Sequence, residues 1–124
     1  MVARLILLAA LLLPGGYAAA QSTVIYSRAD AAQAQRAARL ARVFGPVTID
    51  TALAPGTPWR AAIAAGICSS AVVLLLWSRR AAASTEVARE IATAQRCQVP
   101  VVPVLLASTP LPGDIGQAQA VDWR

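Results

Sequence analysis

The run Val72-Val73-Leu74-Leu75-Leu76 carries no polar alternation, and this restricts the architectures open to the chain more than any other feature. A strand with one solvated face alternates apolar and polar residues. An unbroken run of Val and Leu is instead covered on both faces, as in the middle of a parallel sheet. The run ends a longer uncharged stretch, residues 61–78, that approaches the length of a membrane span. Gly66, Ser69 and Ser70 divide that stretch into a helix end, a turn and a short strand at 71–77, so it reads as buried core.

Elsewhere, short apolar runs alternate with helical patterns. Residues 23–26 read as a first strand. Asp30, with Gln33 three positions on, marks a helix start, and residues 34–44 continue it with Leu40, Val43 and Phe44 turned inward until Gly45-Pro46 ends it. Residues 47–50 form a second strand, 51–57 a loop rich in turn residues, and Pro58 suits the first turn of a helix running to Ile67. Ser84 caps the next helix, which runs to Arg96 with Glu86 in its first turn, where a carboxylate complements the helix dipole. Residues 99–106 form a fourth strand, which Pro100 and Pro103 mark as bent or outer. A short segment at 120–123 supplies a fifth.

Strands alternating with helices predict an α/β fold, a doubly wound parallel sheet of four to five strands with flanking helices and right-handed crossovers. Ligands of such sheets bind beyond the carboxyl ends of the strands. Those ends are Tyr26-Ser27-Arg28, Asp50 with its loop, and Ser78, and the helix from Ser84 starts on the same side. Glu90 lies six residues into that helix, ~9 Å along its axis, which keeps its side chain near the rim.

Composition limits the chemistry. All eleven basic residues are arginines, with no lysine and no histidine. Imidazole-based zinc catalysis and a Ser-His-Asp triad are excluded, and two cysteines 29 residues apart make a poor metal motif. A carboxylate-centred or non-enzymatic function remains, and the two glutamates of the chain, Glu86 and Glu90, share one helix.

Residues 1–20 read as a signal peptide: Arg4 gives a minimal n-region, residues 5–13 an apolar h-region, and Ala18-Ala19-Ala20 a small-residue cleavage site. Nine apolar residues fall short of the ~20 that span a bilayer. Cleavage would leave residues 21–124 as one exported domain; an uncleaved leader would be a signal anchor, the chain's one attachment to a membrane. The mature domain carries ten arginines against six acids, which favours anionic partners in general. Arg36, Arg39 and Arg42 recur at helical spacing, as the solvated face of an amphipathic helix does. With six aromatics and no nucleic-acid module, nucleic acid is not an expected partner.

Several of these segments, in order, resemble a bacterial Toll/interleukin-1 receptor (TIR) domain: Tyr26-Ser-Arg-Ala-Asp30, then Asp50 with Leu53-Ala-Pro-Gly56 and Trp59, the strand at 72–78, Ser84-Thr-Glu-Val-Ala-Arg-Glu90, the strand at 99–104 and Val121-Asp-Trp123. The resemblance covers residues 23–124. It implies a flavodoxin-like fold and one of two roles: cleavage of NAD to nicotinamide and ADP-ribose or its cyclic form, or binding of other TIR domains without catalysis. NAD is then a substrate, with no resident cofactor and no metal. Catalytic members carry Ser-x-Trp-Val-x-x-Glu, matched here by Ser84, Val87 and Glu90; Glu86 stands where the family usually has tryptophan, an aromatic wall beside the nicotinamide ribose. The resemblance assigns Glu90 to stabilising the ribosyl cation, Trp59 or Tyr26 to stacking, Arg28 to the pyrophosphate, and Ser84 to the substrate site or simply to the helix cap. Residues 53–56 resemble the loop through which TIR domains associate. A further helix usually follows the fifth strand, so an open sheet flank and self-association are expected.

Cys68 precedes the third strand and Cys97 the fourth, both at the amino-terminal edge of the sheet. Export predicts a disulfide between them, whereas retention inside the cell predicts two buried thiols.

Overall fold

The central strand, β3 (Val72–Trp77), is buried along its whole length, with Leu75 and Leu76 fully shielded. This computed structural model describes residues 21–49, 60–113, 115 and 120–124, and the backbone of Trp59. The expected leader at 1–20, Asp50, the loop at 51–57, Pro58 and the Trp59 side chain lie outside the described residues.

β1 (Ser22–Ile25) pairs with β3 on one side and with β2 (Val47–Ile49) on the other; beyond β3 lie β4 (Val101–Leu105) and the two-residue β5 (Val121–Asp122). All four pairings are parallel. The order β2-β1-β3-β4-β5 is the flavodoxin-like arrangement, with its ligand rim at the carboxyl ends of the strands.

Alternate residues of β1 and β3 feed two apolar layers. Val24, Leu74 and Leu76 meet α1 (Ala31–Ala41) on one face. Ile25, Val73, Leu75 and Trp77 meet α2 (Trp59–Cys68) and α4 (Thr85–Arg96) on the other. Between β3 and α4 runs a single helical turn and a half, α3 (Arg79–Ala83), which the sequence reading did not foresee. Its signal was there: Ser78 Oγ accepts the Ala81 amide at 3.1 Å, an N-cap at the usual spacing.

α1 packs differently from expectation. Its buried stripe is Ala34, Ala37, Ala38 and Ala41, small enough to bring the helix close to the sheet. Leu40 and Phe44 lie at the margin, and Val43 is 77% exposed. The α-helix ends at Ala41 and Arg42–Phe44 form a 3-10 turn; Val43 stands two residues past Ala41, roughly 200° around the helix from the alanine stripe, and so faces solvent.

β4 is not an outer strand, since β5 pairs beyond it. Its prolines fit because of direction. Val73 donates its amide to the Pro100 carbonyl and Leu106 donates to the Trp77 carbonyl, both at 2.9 Å. Amide direction alternates along a strand, so even-numbered residues of β4 face β3 and Pro103 faces the other flank. β5 pairs there only with Val104 and Leu105, beyond Pro103, so no ladder bond is lost. On this side of the sheet Val104 and Val121 are buried, while β5 forms the sheet edge with Asp122 exposed. At its margin the Arg36 guanidinium lies 4.8 Å from the Trp123 ring centroid, a cation–π contact. Arg124 bonds the Asp122 carboxylate through its side chain and its amide, holding that carboxyl down at about 2.

Cys68 and Cys97 form a disulfide, with Cα atoms 5.4 Å apart, so of the two expectations the paired one holds. It joins the carboxyl ends of α2 and α4. α4 then closes with paired bonds from Val99 N to Ala94 O (2.9 Å) and Gln98 N to Gln95 O (3.1 Å), placing Gln98 at φ 57°. This is the left-handed position that glycine usually fills. Gln98→Gly is expected to stabilise the fold by about 0.5–1 kcal/mol, read as a raised urea midpoint at unchanged slope.

Candidate functional site

The strands deliver α2 and α4 side by side, both starting at the carboxyl rim of the sheet. Ser84 opens α4 by accepting the Val87 amide on its Oγ at 3.1 Å. The register that follows sends Val87, Ile91 and Ala94 into the core. Glu86, Glu90 and Thr93, one helical turn apart, are left on the flank facing α2. Between the two helices lies a groove of about 400 Å³ with Ile63 and Ile67 on its floor and Glu90 in its wall. Arg60, Arg89 and Arg96 line it with Glu86, so three guanidiniums and two carboxylates border an apolar floor.

Its mouth is crossed by charge. Arg60 on α2 and Arg89 on α4 both donate to Glu86 Oε1, at 3.1 and 2.7 Å. Partial desolvation opposes the charge on Glu86, but the hydrogen bonds and positive charges of Arg89 and Arg60 outweigh it and hold the carboxyl below its ordinary value. All three side chains are more than a third exposed, so the bridge contributes little to stability. It does set which charges face the groove.

The residues singled out from sequence do not all meet there. Glu90 is half-buried in the groove wall. Ser84 stands at the head of α4 as its cap. Arg28 is exposed in a 3-10 turn at the end of β1. Trp59 opens α2, its side chain outside the described residues. Tyr26 packs in the α1 layer, so the sheet separates it from Glu90. Strand alternation carries this information: Tyr26 shares the parity of Val24, and Val24 faces α1.

Two polar contacts escaped the sequence reading. Asp30 does not cap α1 with its side chain. Its carboxylate accepts the Ser78 hydroxyl at 2.5 Å, and both residues are buried where β1 and β3 end. The bridge from Arg60 to Glu86 spans 26 residues and belongs to the packing of α2 on α4, which no local pattern encodes.

A family profile described as TIR domain matches residues 23–124. Among solved structures, the chain is similar to the TIR domain of the Toll-related receptor TRR-2 from Hydra magnipapillata, at 14% identity, covering 82% of each chain with a TM-score of 0.71. No curated protein matches the sequence.

Two outcomes are expected. An NMR titration will place the Glu86 midpoint below 4.5, and Arg89→Ala, which removes the shorter bond, will return it toward that value further than Arg60→Ala does. Because the folded carboxyl titrates below its unfolded value, its pairing stabilises the fold fully above that unfolded value and fades as pH falls through the lower folded one. Ser84→Ala removes the cap of α4 and should lower the unfolding free energy by about 1 kcal/mol in a denaturant melt.

Proposed function

The chain belongs to the TIR domain family, and from that membership and the α2–α4 groove we propose that it cleaves NAD in the groove, releasing nicotinamide. A TIR domain places the protein in signalling or defence, and TIR domains generally interact with other TIR domains.

The observation that supports cleavage is the placement of Glu90: half-buried in a groove, at the third matching position of Ser84-x-x-Val87-x-x-Glu90, among guanidiniums. In this reading the arginines draw in the diphosphate, whose oxygens compete with Glu86 for Arg60 and Arg89. Arg28, at the end of β1, is a further cation on that rim. The bond from ribose C1′ to the pyridinium nitrogen breaks with its electron pair leaving on nicotinamide. The Glu90 carboxylate stabilises the ribosyl cation that develops, and water or a nucleophile of the substrate itself then takes C1′. Nicotinamide departs neutral, so no general acid is needed, which suits a chain without histidine.

A non-catalytic interaction module is the second reading, and one observation favours it. Among the described residues the groove has no aromatic wall. Glu86 occupies the family's usual tryptophan position, and Tyr26 sits across the sheet. The association loop at 53–56 lies outside the described residues. For either reading we place the protein outside the cytoplasm, as a self-associating domain that would meet NAD beyond the producing cell or in a target cell; the disulfide is consistent with export.

Nicotinamide release from NAD by the full chain at high protein concentration separates the two. Cleavage predicts release that Glu90→Gln lowers by roughly 100-fold or more while the far-UV spectrum is unchanged. No release from a folded, self-associating parent would reject cleavage in favour of the interaction module.

A further inference from the structure

The two walls of the groove are tied together at both ends by different means. At the rim, the tie is the exposed ion pair of Arg60 on α2 with Glu86 on α4. At the opposite end, the disulfide joins Cys68, the last residue of α2, to Cys97, which caps α4. Glu90 lies between them, one turn below Glu86.

α2 depends on these ties more than its neighbours do. Among its described side chains, those buried in the core are Ile63 and Ile67, while Ala61, Ala62 and Ala65 are exposed. α1 and α4 each bury four residues. Gly66 in the last turn of α2 lowers its intrinsic helix stability further. The carboxyl end also has one polar hold on the body of the fold: Ser70 Oγ bonds the Gly66 carbonyl at 2.8 Å and meets Thr23 Oγ1 at 2.6 Å. Among the described residues, loss of the disulfide therefore leaves α2 held at a pivot near Gly66, by two isoleucines, and by an ion pair that water screens.

We infer that the Cys68–Cys97 disulfide is a redox latch on this groove: oxidised, it fixes α2 against α4; reduced by a dithiol, it lets α2 move away and the groove lose its shape. This regulatory role rests on the groove being the working site. Cys68 is exposed, so a thiolate of the dithiol can reach its sulfur. The S–S bond breaks as a mixed disulfide forms at Cys68 and Cys97 leaves as thiolate. The second thiol of the reagent then displaces Cys68 and closes its own disulfide. Two electrons and two protons pass to the protein, which ends with two thiols.

Hydrogen exchange followed by mass spectrometry on the full chain, with and without dithiothreitol, tests the latch independently of any NAD chemistry. Reduction is expected to speed exchange in α2 by roughly a factor of ten or more while exchange in α1 stays unchanged. The Cys68→Ser/Cys97→Ser variant should match the reduced parent and ignore dithiothreitol. No change in α2, or an equal change in α1 and α2, would overturn the latch and leave the disulfide a general staple. If the parent releases nicotinamide, reduction should slow that release by a similar factor, and release indifferent to reduction would overturn the regulatory role. If no form releases nicotinamide yet α2 loosens selectively, the cleavage reading fails and the latch on the groove stands.

Discussion

Everything in this fold is arranged around the burial of β3 on both faces. Val73, Leu75 and Trp77 enter one layer, and Leu74 and Leu76 the other. Each fully shielded leucine withdraws enough apolar area to contribute about 1.5–3 kcal/mol. A two-faced strand needs cover above and below, and in a parallel sheet that cover comes from the crossover helices. The positions of α1 on one side and of α2 and α4 on the other follow from this requirement. The groove is therefore a consequence of core formation: two crossovers on the same face must lie side by side, and their outward flanks leave a furrow.

Polar contacts at the two ends of β1 and β3 fix how the layers close. At the amino-terminal edge, Thr23, Ser70 and the Gly66 carbonyl bond one another, joining β1 to the turn between α2 and β3. At the carboxyl-terminal edge, Asp30 and Ser78 join the turns that leave β1 and β3. Buried groups of this kind add modest net stability when paired, but removing one partner strands the other at a cost of about 1–3 kcal/mol. They therefore act against alternative arrangements more than they strengthen this one. Trp77 does the same for the chain beyond β4: its indole N–H is shared between the Thr109 and Pro110 carbonyls, both at 3.1 Å.

What the sequence disclosed divides along the range of the interactions involved. The unalternating run of β3, the Ser84 cap and the order of the strands and the three longer helices are encoded in neighbouring residues, and the structure has them, with the short α3 added between β3 and α4. Pro103 was misread because its setting depends on the parity of a strand within its sheet, whereas the ordinary helical period already sets Val43 opposite the alanine stripe. Strand parity could have separated Tyr26 from Glu90 in advance. The arginine bridge to Glu86 could not have been read at all, since its partners lie 26 residues apart on helices whose separation is set by the core.

The charges of the groove narrow the chemistry it can host. Guanidiniums keep their protons at any physiological pH, so Arg60, Arg89 and Arg96 supply fixed positive charge and no proton. Glu86 is held below the ordinary carboxylate range, so near neutrality it too has none to give. With histidine and lysine missing from the chain, hydrolysis of an amide or ester in this groove would lack a ready donor for its leaving group. Heterolysis of a glycosidic bond to a pyridinium has no such need, because the leaving group already carries the positive charge it must lose. What that reaction requires is a carboxylate beside the developing cation and positive charge for the diphosphate, and in the proposed reading Glu90 and the three arginines that line the groove would supply them.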